Sequence, residues 1–407
     1  MTPFKPIRHL AVHAAARQRG MTLIELMVAM LIGLLLALAM VSALKVGEAQ
    51  RRTTSATSDM DQSGTYAASV LDTALRNAGS GLMQKSLGGT SLIGCNPGFA
   101  TTASFTQPPS PFTQFLGGNL GSLTLEPVLI DANPSGTTAP AGGSDVLAVM
   151  SASGAAGTVP LAVTSPAGTG TSTTLPVNST VGITRNPQNL AQDIAQDRPQ
   201  VLVDQPGTTN SRCSIFTVTG ITATSLTLNA TPQVAPSLVL PLGNLSGGDV
   251  QFQLFGVDPG AATLYSYDLN PNDSAPALRP LSGNVLAIQA LYGIADANTG
   301  ALKEWVAPTN NTAGDYSIAS LMANPNTMLN QIVAIRVALI LKGSLYEKEP
   351  VTATGLSWFN TAPSNIPIIG LAATPVVWTP DSTTADAHYR YSVVEFVVPV
   401  RNGMIIN

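Results

Sequence analysis

Glu25 is the one ionisable side chain in an otherwise apolar run from Met21 to Leu44. An ionised carboxylate on a helix inside lipid costs roughly 2.5 to 3.5 kcal/mol at mid-span and less near the interface, so a lone one is a functional hypothesis by default. It needs a cation to pair with. Cutting the chain between Gly20 and Met21 would create one, because the new α-amine of Met21 would lie four residues from Glu25. In a packed array of such helices the amine of a neighbouring subunit would serve as well. Neutralising the pair at a subunit contact would favour assembly over a free monomer in the bilayer.

Little other chemistry is on offer. Two of the three histidines precede Met21, and the third, His388, stands beside Tyr389 and Arg390 and reads as a solvated loop residue. No nucleophile elbow, phosphate loop or paired-cysteine zinc motif is present, so no enzyme activity is expected. Oxygen-bearing side chains alternate in Asp296-Ala297-Asn298-Thr299-Gly300 and at Asp268, Asn270, Asn272 and Asp273. Calcium favours such turns, which makes Asp296 and Asn298 weak calcium candidates, but neither run has the glutamate that closes an EF-hand loop. Ordinary Asx turns are the preferred reading, and no cofactor is expected. Trp305, Trp358 and Trp378 read as core or loop anchors.

The element that must hold Glu25 is a membrane span. Residues 21–44 at about 1.5 Å each cover about 36 Å, enough to cross a hydrocarbon core of about 30 Å. Lys5, Arg8, Arg17 and Arg19 precede it with no acidic residue. The positive-inside bias therefore keeps residues 1–20 in the cytoplasm and sends the rest outward. An ordinary secretory signal cut at Ala37-Leu38-Ala39 is one alternative, against which a glutamate in the apolar core argues. An uncleaved anchor, with Glu25 near the headgroups, is the other.

The helix is expected to continue. No proline interrupts Lys45 to Ala78, and Tyr66, Val70, Leu71, Ala74, Leu75 and Ala78 recur at three- and four-residue steps, one apolar face of an amphipathic helix. Asp72 and Arg76 can pair on another face. Gly79 and Gly81 offer the stop, giving a helix over 21–78 of roughly 87 Å. Gly33, Gly47 and Gly64 are either weak points in it or close-packing sites between helices.

Beyond Gly81 the pattern changes to short β-type runs. Candidate strands are Asp145 to Met150, Cys213 to Thr219, Ser225 to Asn229, Val250 to Phe255 and Thr263 to Tyr267. The strongest are Gln331 to Lys342 and Tyr391 to Val400, which alternate over ten residues or more. Residues 101–144 and 151–200, rich in Thr, Ser, Gly, Ala and Pro, read as long surface excursions. The domain plan is thus a leader (1–20), a transmembrane and assembly helix (21–44), its amphipathic continuation (45–80) and an extracytoplasmic β-rich head (81–407), with room for an inserted subdomain within about 90–260. The fold class is α+β, a long N-terminal helix packed on a large antiparallel head.

Composition agrees. Charged residues make up 10% of the chain, against a usual 25% or so. Removing the four leader cations leaves 15 Lys and Arg against 23 Asp and Glu, a net charge of −8 that does not favour nucleic acid as a partner. Cys95 and Cys213 lie beyond the span, in an oxidising compartment, where a disulfide between them is expected and two unpaired buried thiols are the alternative.

The stretch Arg19 to Met30 resembles the class III signal of type IV pilins and type II secretion pseudopilins. The resemblance implies that Gly20 precedes the cut, that Met21 becomes an N-methylated terminus, and that Glu25 is the recognition and docking carboxylate. It also implies a prepilin peptidase as the processing partner. The family more often has Phe where this chain has Met21. Five head segments, 143–147, 263–269, 284–293, 332–341 and 391–402, resemble in that order those of PilW-like minor pilins. That likeness implies a subunit that helps prime pilus assembly with other minor pilins, the major pilin and an inner-membrane platform, and that rides at the fibre tip. A secretion pseudopilin, or an adhesive module with loops that touch surfaces or glycans, are the alternatives. The implied location is the bacterial inner membrane, single-pass with the head periplasmic, and then the pilus surface.

Overall fold

The computed structural model describes residues 20–82, 94–99, 107–136, 143–152, 160–165, 172–183, 190–205, 212–270, 278–323, 328, 331–351, 355–361, 365–380 and 384–400. The expected leader, apart from Gly20, lies outside them, as do Asn272 and Asp273. The chain forms two compact units, Met1–Ser55 and Ala56–Asn407.

The first unit is the opening stretch of helix α1, which runs Leu23–Asn77. Its apolar side chains are exposed, Leu23 at 77%, Leu34 at 72% and Leu44 at 72%. An apolar helix bare on every side requires lipid or other helices around it. Among the described residues this is the one helix long and apolar enough to cross a membrane. A Cβ on Gly33 or Gly47 would meet nothing within 4 Å.

In the second unit α1 turns amphipathic. Met60, Ala67, Leu71, Leu75 and Ala78 are buried and follow the three-four spacing of one helix face. At Gly64 a Cβ would run into Leu341 Cδ1 and lie 3.2 Å from Val394 Cγ2, so the close approach expected there is made with a sheet of the same chain. The helix ends one residue before its expected limit, and Gly79 (φ +72°) and Gly81 (φ +70°) reverse the chain.

Two five-stranded sheets share the core with this face. The first is antiparallel, ordered Leu278–Ser282, Thr263–Asp268, Val250–Asp258, Val146–Ala152, Val128–Asp131. The second is ordered Ile368–Ile369, Leu302–Val306, Val285–Ala295, Ile332–Lys342, Tyr391–Pro399, and only its Ile368–Ile369 edge is parallel. In Ile332–Lys342 the odd positions Ile335, Val337, Leu339 and Leu341 join the α1 core. The even positions Ala334, Ala338 and Ile340 join a second cluster with Trp305, Trp358 and Phe359. Both faces are covered, which is why the strand is nearly continuously apolar.

Six strands of a seven-stranded sheet lie between Val146–Ala152 and Val250–Asp258 in the chain. Its order is Leu161–Ala162, Leu238–Asn244, Pro199–Gln205, Arg212–Ile221, Ser225–Leu228, Thr174–Pro176, with Asn96–Phe99 parallel on Arg212–Ile221. It has its own apolar core around Leu175, Val201, Phe216 and Leu226. The strands flanking it are themselves neighbours, Ala152 opposite Val250.

The surface excursions expected over 101–144 and 151–200 need correction. The first contains the buried strand Val128–Asp131, and Phe112, Phe115, Leu120, Leu123 and Leu125 are all in the core. The second supplies strands Leu161–Ala162 and Thr174–Pro176 and a helix, Leu190–Asp197. Thr, Ser and Gly dilute the apolar residues enough to hide their periodicity, yet a few large anchors suffice for burial.

Candidate functional site

Gly20 and Met21 lie in non-helical backbone just ahead of α1, both exposed. Thr22 is the N-cap. Its carbonyl accepts the first helical bond from Leu26 N at 3.2 Å. Thr22 Oγ1 accepts from Glu25 N at 3.3 Å, and Glu25 Oε2 accepts from Thr22 N and Thr22 Oγ1, each at 3.2 Å. This is a capping box, in which residues three apart satisfy each other's free N–H groups and a carboxylate sits at the positive end of the helix dipole. Glu25 thus has hydrogen-bond donors within its own turn, which sequence reasoning did not assign to it. The signal was present: Thr22-Leu23-Ile24-Glu25 followed by an apolar run has the capping-box spacing.

The box also separates two backbone states. Ahead of Thr22 the peptide between Gly20 and Met21 lies in exposed, non-helical backbone. Behind it the chain is helical at once.

Cys95 and Cys213 form a disulfide, with Cα atoms 5.7 Å apart. It reinforces the parallel pairing in which Pro97 stands opposite Cys213. The bond therefore fastens the chain just after α1 to the seven-stranded sheet.

The oxygen-rich runs serve their own backbone. Asp296 Oδ1 accepts from Asn298 N and Thr299 N, both at 3.0 Å, and these bonds hold its carboxyl below the usual range. Asp268 Oδ1 accepts from Asn270 N at 3.0 Å, while Asn270 and Gln200 exchange amide bonds across two sheets, the shorter at 2.8 Å. Among the described residues no three His, Cys, Asp or Glu side chains gather as a metal site would require.

Sequence reasoning missed a set of buried acids. Asp145 accepts from Asn133 N at 3.1 Å and Ala290 N at 2.9 Å, and burial pushes its carboxyl up to about 7. Glu126 accepts from Thr124 Oγ1 at 2.7 Å through one oxygen and has no partner at Oε2; burial pushes it up to about 8. Tyr292 OH accepts from Ile130 N at 2.6 Å, and its burial beside these acids raises it well above the ordinary tyrosine value. Isolated acidic letters carry no periodicity, so only their contacts reveal them.

His388 also departs from its expected place. It is half-buried, its ring stacked on Tyr346 at 4.8 Å.

Comparison with known proteins agrees with both ends of the chain. Residues 15–41 match the prokaryotic N-terminal methylation motif, and residues 255–402 match the family described as Type IV Pilus-assembly protein W. Among solved structures, a type IV-like pilin from Thermus thermophilus is similar over 52% of this chain and 91% of its own, at 12% identity and a TM-score of 0.21. That likeness is too loose to describe the fold, which rests on the helix and sheets above. No curated protein matches the chain.

Proposed function

We propose that this chain, a PilW-like type IV minor pilin involved in pilus assembly, helps prime the fibre and takes a place at its tip. The observation that carries the reading is the presence on one chain of a prepilin methylation motif and a PilW match over residues 255–402, which hold the whole second five-stranded sheet and the Thr263–Asp268 and Leu278–Ser282 strands of the first. The motif implies processing by a prepilin peptidase and work alongside other pilins, and the exposed apolar helix fits membrane anchoring. The pilin likeness supports a structural role.

In the proposed sequence of events the peptidase cuts between Gly20 and Met21 and methylates Met21. The helix holds the subunit in the inner membrane with its N-terminus cytoplasmic and its head periplasmic. Glu25 then sets register against the amine of a neighbour, and the head selects other minor pilins before the major pilin is added on the assembly platform.

Deletion and complementation of the gene test this. Loss of surface pili, restored by the wild-type chain, is the expected result. Normal piliation with lost attachment would favour an adhesive module, and normal piliation with unsecreted enzymes a secretion pseudopilin. Either would overturn priming.

A further inference from the structure

We infer that the head carries a binding site for a neutral sugar ring, built on Tyr346. This ring is 53% exposed, and among the described residues outside α1 no other aromatic side chain is exposed to that degree. Two rings hold it in place: His388 stacks on one face at 4.8 Å with 13° between the planes, and Tyr389 stands at 81° to it with centroids 5.5 Å apart.

The support is rigid. Glu347 N donates to His388 O at 2.9 Å, His388 Nδ1 bonds Glu347 O at 2.8 Å, and Gly343 N donates to Arg390 O at 2.8 Å. Two backbone segments, 343–347 and 388–390, are thereby laced together on either side of Tyr346 in the chain and at its stacking partner, which costs a ligand no ordering of the site on arrival.

The rim decides the ligand class. Lys342 Nζ pairs with Asp386 at 3.0 Å, and Arg390 Nε pairs with Glu347 at 3.2 Å. The four charges cancel, so the rim draws neither an anion nor a cation by its field. A cationic ligand is further disfavoured because Lys342 Nζ already lies 4.2 Å from the Tyr389 ring centroid. Ionised side chains nonetheless offer both donors and acceptors, which suits hydroxyl groups, since each can do both. A flat aromatic face, negative at its centre, suits the polarised C–H face of a pyranose. A neutral hexose or N-acetylhexosamine presents both surfaces at once. One stacked ring supports only weak affinity, about 1 mM, to be multiplied by display of many copies.

The test is saturation-transfer NMR on the full processed chain in micelles of a sugar-free detergent, with methyl glucoside, methyl galactoside and N-acetylglucosamine as probes and sialic acid as the anionic control. Transfer to the ring C–H protons of at least one probe is expected, retained in Tyr346→Phe and lost in Tyr346→Ala. Tyr346→Leu, which fills similar space without a flat π face, is expected to lose it too while melting like the wild type. Transfer to none of the probes, transfer that survives Tyr346→Leu, or transfer to sialic acid alone would overturn the assignment. The readout uses purified protein, so it is independent of whether the subunit primes pili.

Discussion

Asp145 Oδ2 accepts from Ala290 N at 2.9 Å, while Asp145 N donates to Ile288 O at 2.8 Å. One residue ahead of strand Val146–Ala152 thus fastens the first five-stranded sheet to strand Val285–Ala295 of the second. Ser144 Oγ adds a third tie by accepting from Ile288 N at 3.1 Å. The segments 143–147 and 284–293, whose sequences resemble those of PilW-like minor pilins, are the two sides of this joint.

Asp145→Ala is expected to destabilise the head by roughly 2 to 5 kcal/mol, because it leaves the buried Ala290 N–H and the half-buried Asn133 N–H without an acceptor. Asp145→Asn keeps an acceptor oxygen and is expected to cost less. Denaturant melts of the processed chain check the order; equal losses would show that the ties are not what joins the sheets.

Stability should fall as pH rises. Burial pushes Glu126 up to about 8, Asp145 to about 7 and Asp268 to about 6, whereas carboxyls in an unfolded chain titrate near about 4. A raised folded pKa favours the protonated native form, so this contribution is full below about pH 4 and is lost through about pH 6 to 8. The head is therefore expected to melt lower at about pH 9 than at about pH 6. Glu126→Gln, an isostere of the protonated acid, should melt higher than wild type at the alkaline end.

Gly64→Val is expected to cost roughly 1 to 3 kcal/mol, since the new side chain must displace Leu341. Gly33→Ala and Gly47→Ala meet no neighbour in the subunit and are expected to stabilise an isolated helix by up to about 1 kcal/mol. If the latter two block filament incorporation instead, those glycines pack against other subunits, as measured by pilus shearing and immunoblot.

Replacing Cys95 and Cys213 by serine together should lower the melting temperature. The loop closed spans 118 residues, for which chain entropy allows up to about 4 to 5 kcal/mol. Unchanged melting would mean that the pairing of Asn96–Phe99 with Arg212–Ile221 holds without the bond.

At the N-terminus, Gly20→Val is expected to block cleavage, and Glu25→Ala to be cut but incorporated poorly. Thr22→Ala removes the N-cap, worth about 1 kcal/mol, and leaves the carboxylate in place. It should therefore be cut and incorporated more like wild type. Intact-mass spectrometry reads the cut, and sheared pili read incorporation; a Thr22 variant as defective as Glu25→Ala would mean that capping is what Glu25 chiefly does.

The helix and the long strands were legible because burial of one face writes a period into the residues. Leu71, Leu75 and Ala78 announce α1, and Val337 and Leu339 announce a central strand. The seven-stranded sheet was harder to read. Two of its strands, Leu161–Ala162 and Thr174–Pro176, have two and three residues, too few to show alternation. Long-range pairing also leaves no local mark: nothing near Asp145 in the chain points to Ala290, and nothing near Tyr346 points to His388.

The placing of Ala152 opposite Val250 means that the chain leaves a hairpin and returns to it about one strand spacing away, roughly 5 Å. The two ends of the inserted sequence thus lie side by side, a natural graft point for diversifying a shared scaffold, although Leu202, Ile215, Leu238, Leu240 and Leu242 of the seven-stranded sheet also pack into the core shared with α1. The Cys95–Cys213 bond sets a further limit on that freedom. It crosses from scaffold to graft, so the graft and the segment that follows α1 must change together.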